Sequence, residues 1–191
     1  MEIQKILALA DRAYKINATN GFHKAEDEPQ FMEYKYLMLV ITEIAEAVEA
    51  DRKGNRADRD AFETRTNVHP EFVERFEAYI KDSLEDEFAD VFIRLVDMVE
   101  VFNLDVAPFI SQRKIVTDTV WNEFKDSTFV EKSYILVRLL THHQYTLEQM
   151  VGFAIVYVEL FAEQLGIDLE WHVERKLDYN ETRGLKHGKS Y

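Results

Sequence analysis

The chain has 191 residues, no cysteine, 6 glycines, 3 prolines and a net charge of −13, from 36 acids against 23 bases. The missing cysteines exclude disulfide frameworks, cysteine zinc sites, iron–sulfur ligation and thiol catalysis. Average usage would give roughly 13 glycines and 10 prolines, so the shortage of turn-formers argues against an all-β fold.

No GxGxxG or GxxxxGK[ST] occurs, which removes the glycine-rich phosphate loops. An acidic surface repels a phosphate backbone, so no nucleic-acid partner is expected. Divalent cations can still bridge such a surface to a phosphorylated small molecule. A chain of this length can bury a sizeable core in one domain, here taken as 1–191.

Helical periodicity dominates from end to end. It predicts helices over 2–18, 31–52, 70–81, 83–103, 106–118, 128–141, 147–166 and 168–182, with loops over 19–30 and 53–70. The fold class is therefore all-α. The first residues, MEIQKILALADRAYK, hold only the short apolar run ILALA. The longest apolar runs, YLMLVI and FAIVYV, fall far below the roughly 20 residues a membrane span needs. With no export signal and no cysteine, the expected setting is cytoplasmic, with no membrane partner. Asp105 and Asp168 stand where helix N-caps belong. A weak internal echo pairs EVFNLDV at 100–106 with EQLGIDL at 163–169, followed by RKIVTD (113–118) and RKLDYN (175–180).

The helix over 31–52 carries the first chemical signal. Leu37, Val40, Ile41, Ile44 and Val48 form its core stripe, and Glu43 and Glu46 share another face. Leu39, Ala47 and Ala50 cluster around that same direction, so these acids emerge from partly apolar surroundings, where an unpaired charge is costly. The helix over 83–103 repeats the theme: Glu87 and Asp90 flank a stripe of Leu84, Phe88, Val91, Phe92, Leu95, Met98, Val99 and Phe102. If the two helices pack, four carboxylates converge, and oxygen-only ligands suit Mg²⁺ or Mn²⁺. Acids three apart are also common on solvated faces, and spacing alone leaves both readings open.

A di-iron carboxylate bundle needs two Glu-x-x-His motifs. The residues three before His23, His69, His142, His143, His172 and His187 are Asn20, Thr66, Leu139, Leu140, Leu169 and Gly184, so that reading fails. On the last helix Lys176 and Asn180 share a face, with Arg183 a turn beyond. Such a row can grip phosphates, although cations near a helix C-terminus also simply complement its dipole.

Glu43-Ile-Ala-Glu46 followed by Glu87-Phe-Ala-Asp90 resembles the ExxE…ExxD signature of the all-α nucleoside triphosphate pyrophosphatases, the MazG-like proteins and their dimeric dUTPase and dCTPase relatives. LMLVITEIAEAVEADRKG is similar to that family's second helix and EDEFADVFIRLVDMV to its third. IDLEWHVERKLDYNETRGLKHGK resembles the end of MazG-like proteins, and RAYKINATNGFH the first helix and loop.

The resemblance implies a four-helix core with Mg²⁺ as cofactor and Mn²⁺ as substitute. It implies hydrolysis of a nucleoside triphosphate substrate between its α and β phosphates, in nucleotide-pool sanitation. Carried over by position, Glu43, Glu46, Glu87 and Asp90 would hold the metal, and Glu46 would also orient the attacking water. Lys176, Asn180 and Arg183 would contact phosphates, while Phe22 or His23 would border the base. A homodimer is the expected assembly.

Two departures stand out. An extra charged segment occupies 53–81, and an insertion of about 107–166 separates the ExxD helix from the final one, which also makes Lys114 and Asp118 candidates for its Lys…Asn pair. If the echo reflects duplication, Met150 and Phe153 replace Glu87 and Asp90 in a silent second half. The rival readings are a phosphoribosyl-ATP pyrophosphatase and a non-catalytic helical binding or regulatory protein.

Overall fold

A computed structural model describes residues 1–23, 29–67, 71–114 and 124–185. Its helices are α1 (Ile3–Thr19), α2 (Pro29–Lys53), α3 (Arg59–Thr64), α4 (Phe72–Tyr79), α5 (Leu84–Val101), α6 (Ala107–Ile110), α7 (Phe129–Leu140), α8 (Leu147–Leu165) and α9 (Leu169–Thr182). Among the described residues there is no strand, so the chain is all-α as its periodicity predicts. No single helix among them is long and apolar enough to cross a membrane.

Local chemistry explains where most helices begin. α2 starts at Pro29, two residues before the periodicity predicts, because a first-turn proline lacks an N–H that would be unbonded there anyway. Thr128 with Glu131, and Thr146 with Gln149, close reciprocal capping boxes at α7 and α8. Asp168 caps α9 by accepting from the Trp171 N–H. Asp105 does not act as its counterpart. The N-cap of α6 is Val106, with no side-chain cap; α6 ends at Ile110, a turn follows at Ser111 and Gln112, and Arg113 and Lys114 are helical again, while residues 115–118 lie outside the described residues. The expected loop over 53–70 contains α3, a six-residue helix capped by Asp58 and too short to show a period. The two echo segments do share a turn geometry: Asn103 (φ 50°) and Gly166 (φ 71°) hold equivalent left-handed positions after α5 and α8.

α5 is the axis of the bundle, packing on α1, α2, α8 and α9. Its stripe Leu84, Phe88, Val91, Phe92, Leu95 and Met98 is at most 1% exposed. The 107–166 insertion belongs to the same core. α7 lies on α2 and α8, and its Phe129 meets Phe88 of α5 edge-on at 5.5 Å. The 53–81 segment builds a smaller satellite core instead: Phe62, Phe76 and Ile80 pack on Tyr179 of α9, with Phe76 stacked on that ring at 4.5 Å.

α6 approaches α8 closely at one point. A Cβ added to Gly152 would lie 2.8 Å from Cβ of Phe109. Alanine normally stabilises a helix interior over glycine by about 1 kcal/mol. Here we expect Gly152→Ala to destabilise, by about 1–3 kcal/mol as overpacking does, measured as the shift in urea midpoint at unchanged slope.

Candidate metal centre

The N-terminus of α5 is where backbone and side-chain chemistry meet. Ser83 caps the helix by accepting from the Asp86 N–H, and Glu85, Asp86 and Glu87 fill its first turn, where the helix dipole favours negative charge. The end of α2 is tied to this point: Asn55 donates its side-chain amide to the Asp82 carbonyl at 2.7 Å, and Leu84 N–H donates to the Asn55 carbonyl. That fixes α2 against α5 with the ExxE and ExxD segments facing each other.

Between them lies a cavity of about 220 Å³ whose walls include Glu43, Glu46, Glu87, Asp90, Arg94 and Lys176. Glu43, Glu46 and Glu87 each bring a carboxylate oxygen to within 4.8 Å of one another. Glu43 and Glu87 are buried, at 6% and 7% exposure, while Glu46 is exposed. Asp90 does not join this trio as the motif suggests. Its Oδ2 lies 2.8 Å from Lys176 Nζ, which also donates to Asp86 Oδ2 at 2.8 Å. A second close group is formed by Asp82, Asp86 and Glu87.

The electrostatics follow from burial. Desolvation, then the nearby Asp90 charge, pushes Glu87 up to about 8. Glu43 is raised by burial and by Asp90, with Arg94 opposing: Arg94 Nε donates to Glu43 Oε1 at 3.0 Å. Burial raises Asp86 to about 6, against the pull of Lys176. For Lys176 burial alone would lower the pKa, but Asp86 and Asp90 outweigh it and hold the ammonium above its ordinary value. At neutral pH Lys176 is therefore charged and paired with Asp86, and Glu87 is the carboxyl that burial holds furthest above its ordinary range.

The donor set fits a hard divalent cation: three carboxylates from two helices, one of them exposed, with no nitrogen or sulfur ligand among them. A buried Asp86 Oδ1 without a hydrogen-bond partner among the described residues adds an acceptor beside it.

The remaining expected residues divide. Phe22, Asn180 and Arg183 line the same cavity, and Asn180 Oδ1 is buried there without a partner among the described residues. Lys176 lines it too, but its ammonium is occupied by Asp86 and Asp90. His23, expected beside a base, does not line the cavity. Its Nε2 lies 3.1 Å from Asp97 Oδ2, and its ring packs on Tyr14 at 4.7 Å. Of the alternative pair, Lys114 is absent from the cavity walls and Asp118 lies outside the described residues.

Several contributors were not expected: Arg94 on the cavity wall, Asp86 as the buried second partner of Lys176, and Asn17, Lys81, Asp82 and Ile93 among the lining residues. A signal for the first two exists in the sequence. Asp86, Asp90, Arg94 and Asp97 follow one another at four, four and three residues, a continuous polar stripe along a helix otherwise buried. α9 is held in register by Arg12 of α1, which donates to Glu174, Asp178 and Glu181 at 2.7–2.8 Å.

No protein-family model, no curated protein and no solved structure matches the chain.

The raised Glu87 carries a stability consequence. An unfolded glutamate ionises near 4.5, whereas the native one keeps its proton to about 8. Between those values the folded state binds more protons, so metal-free stability falls as pH rises and levels off above about 8. In chelator we expect a loss of about 1–2 kcal/mol between pH 6 and pH 9, after discounting for water in the cavity. Glu87→Gln should flatten that loss, as read by urea denaturation at each pH.

Proposed function

We propose that the chain is a metal-dependent nucleoside triphosphate pyrophosphohydrolase, acting on a deoxynucleotide between its α and β phosphates. The observation that carries this reading is the meeting of Glu43 and Glu46 from α2 with Glu87 from α5, within 4.8 Å, in a cavity that also holds Asn180 and Arg183. Its support from sequence is the order of the ExxE, ExxD and Lys-x-x-x-Asn motifs along the chain.

In this reading Glu43, Glu46 and Glu87 hold Mg²⁺, with Mn²⁺ as substitute, and Asp90 borders them. The bound ion would neutralise triphosphate charge and make a water easier to deprotonate. The chain's own residues do the rest. Glu46, the exposed member, orients the attacking water and accepts its proton. The water oxygen bonds to the α-phosphorus as the bond from that phosphorus to the bridging oxygen breaks. The electron pair leaves with pyrophosphate, and the nucleoside monophosphate remains. Asn180 and Arg183 face the departing phosphates as hydrogen-bond and charge partners. Phe22 offers an apolar ring to the nucleoside end.

The test is incubation of the purified full chain with the common and damaged NTPs and dNTPs and with phosphoribosyl-ATP, with Mg²⁺ or with chelator, resolved for monophosphate and pyrophosphate. We expect Mg²⁺-dependent release of both from one or a few deoxynucleotides. Glu46→Gln should lower turnover by about 10²–10⁴-fold, the usual contribution of a positioned general base, with an unchanged circular-dichroism melt. A folded, Mg²⁺-binding protein that cleaves no nucleotide would overturn the assignment, as would full activity in Glu46→Gln.

A further inference from the structure

Arg94 is unusual among the cations of this cavity. It sits on α5 one turn beyond Asp90, and its Nε is fixed by the hydrogen bond to Glu43 Oε1 at 3.0 Å. Among the described residues neither of its Nη groups has a hydrogen-bond partner, and the side chain is 18% exposed where it lines the cavity. Two of the other cations there are spent on carboxylates, and the third lies over an aromatic ring. Lys176 is held by Asp86 and Asp90, Lys81 reaches Asp82 at 3.1 Å, and Arg183 lies over the Tyr179 ring at 5.6 Å.

A guanidinium stays charged at any working pH, and its two Nη groups form a planar fork matched to paired oxygens. Only one of its five N–H bonds is spent on Glu43, and that bond aims the fork. A neutralising partner for Glu43 alone would not need an open fork: a lysine in that place would serve equally well.

We infer that Arg94 is a substrate-binding residue that holds the non-bridging oxygens of the substrate's α-phosphate. This rests on the pyrophosphohydrolase reading. The position follows from its neighbours. On one side Arg94 touches Glu43, a member of the carboxylate trio, so an oxyanion on the fork lies next to the metal ligands. The cavity is also lined by Ile93, next to Arg94 in the chain, and by Phe22 and Asn17, an apolar ring and an amide suited to a nucleoside. The group of a nucleotide that lies between its nucleoside and its metal-bound phosphates is the α-phosphate. It is also the group on which charge shifts during attack, so a preorganised donor there assists the reaction as well as binding.

The experiment uses the full chain and two variants, Arg94→Gln and Arg94→Lys. Each is titrated calorimetrically with dAMP, dCMP, dGMP and dUMP in Mg²⁺, and separately with pyrophosphate. Arg94→Gln should bind the monophosphate preferred by wild type at least about tenfold more weakly, the size of one lost charge-assisted contact. Pyrophosphate affinity and the Mg²⁺-induced rise in melting temperature should stay within about twofold, and Arg94→Lys should recover part of the loss by keeping the charge without the fork. Unchanged monophosphate affinity in Arg94→Gln overturns the inference. So does an equal loss of the Mg²⁺ response, because Arg94 would then act only through Glu43. If Arg94→Gln unfolds, Arg94→Lys decides by the same criteria. Wild type that binds no monophosphate also overturns it. Wild type that binds one in an Arg94-dependent manner yet cleaves no triphosphate upholds the phosphate site and sinks the pyrophosphohydrolase reading instead.

Discussion

The arrangement of the bundle turns on one cluster of charges: Lys176 of α9 between Asp86 and Asp90 of α5, with Lys176 and Asp90 at the wall of the cavity. Taking such charges out of water is costly, and leaving any one of them alone would cost about 3–5 kcal/mol. The cluster therefore locks the register of α9 against α5. From the opposite surface of α9 the Arg12 fan to Glu174, Asp178 and Glu181 holds the same helix to α1. Between these two sets of ion pairs, Asn180 is carried to the cavity wall.

α5 does two jobs that usually belong to different helices. Most of its circumference is core, with Phe88, Val91, Phe92 and Leu95 at most 1% exposed. The remaining stripe, from Asp86 through Asp90 and Arg94 to Asp97, is polar and almost as deeply placed. A buried polar stripe is tolerable only where each charge has a polar or opposite neighbour: Lys176 serves Asp86 and Asp90, Glu43 serves Arg94, and the His23 ring lies within hydrogen-bond distance of Asp97. Glu87 has no such neighbour of its own, which is why burial moves its ionisation so far.

The two segments that lengthen the chain have different physical roles. α7 and α8 are packed into the main core, closing the side of α2 and α5 away from the cavity, so the central helices are covered within one chain. α3 and α4 add a small aromatic core on the outer face of α9, around Phe76 and Tyr179. The cavity lies between α2, α5 and α9, and of the two additions only Lys81, at the end of the first, reaches its wall.

Much of this was legible in the residue order. Periodicity identifies the helices that run ten residues or more, since a buried stripe repeats several times within them; it misses α3, whose six residues complete fewer than two turns, and it passes over the turn at Ser111 and Gln112 that ends α6. Spacing also identifies Glu43 with Glu46, and Glu87 with Asp90, as sharing faces, because the pitch of a helix is a local property of the backbone. Which faces then meet is a property of packing between residues far apart in the chain. That is why only the tertiary structure could join Glu87 to the α2 pair, assign Asp90 to Lys176, draw Arg94 and Asp86 into the site and turn His23 away toward Asp97. The sequence by itself determined the helical class and the chemistry that each helix presents. The partners of each charge were decided by the bundle, since the cost of burying a charge depends on what lies across the interface from it.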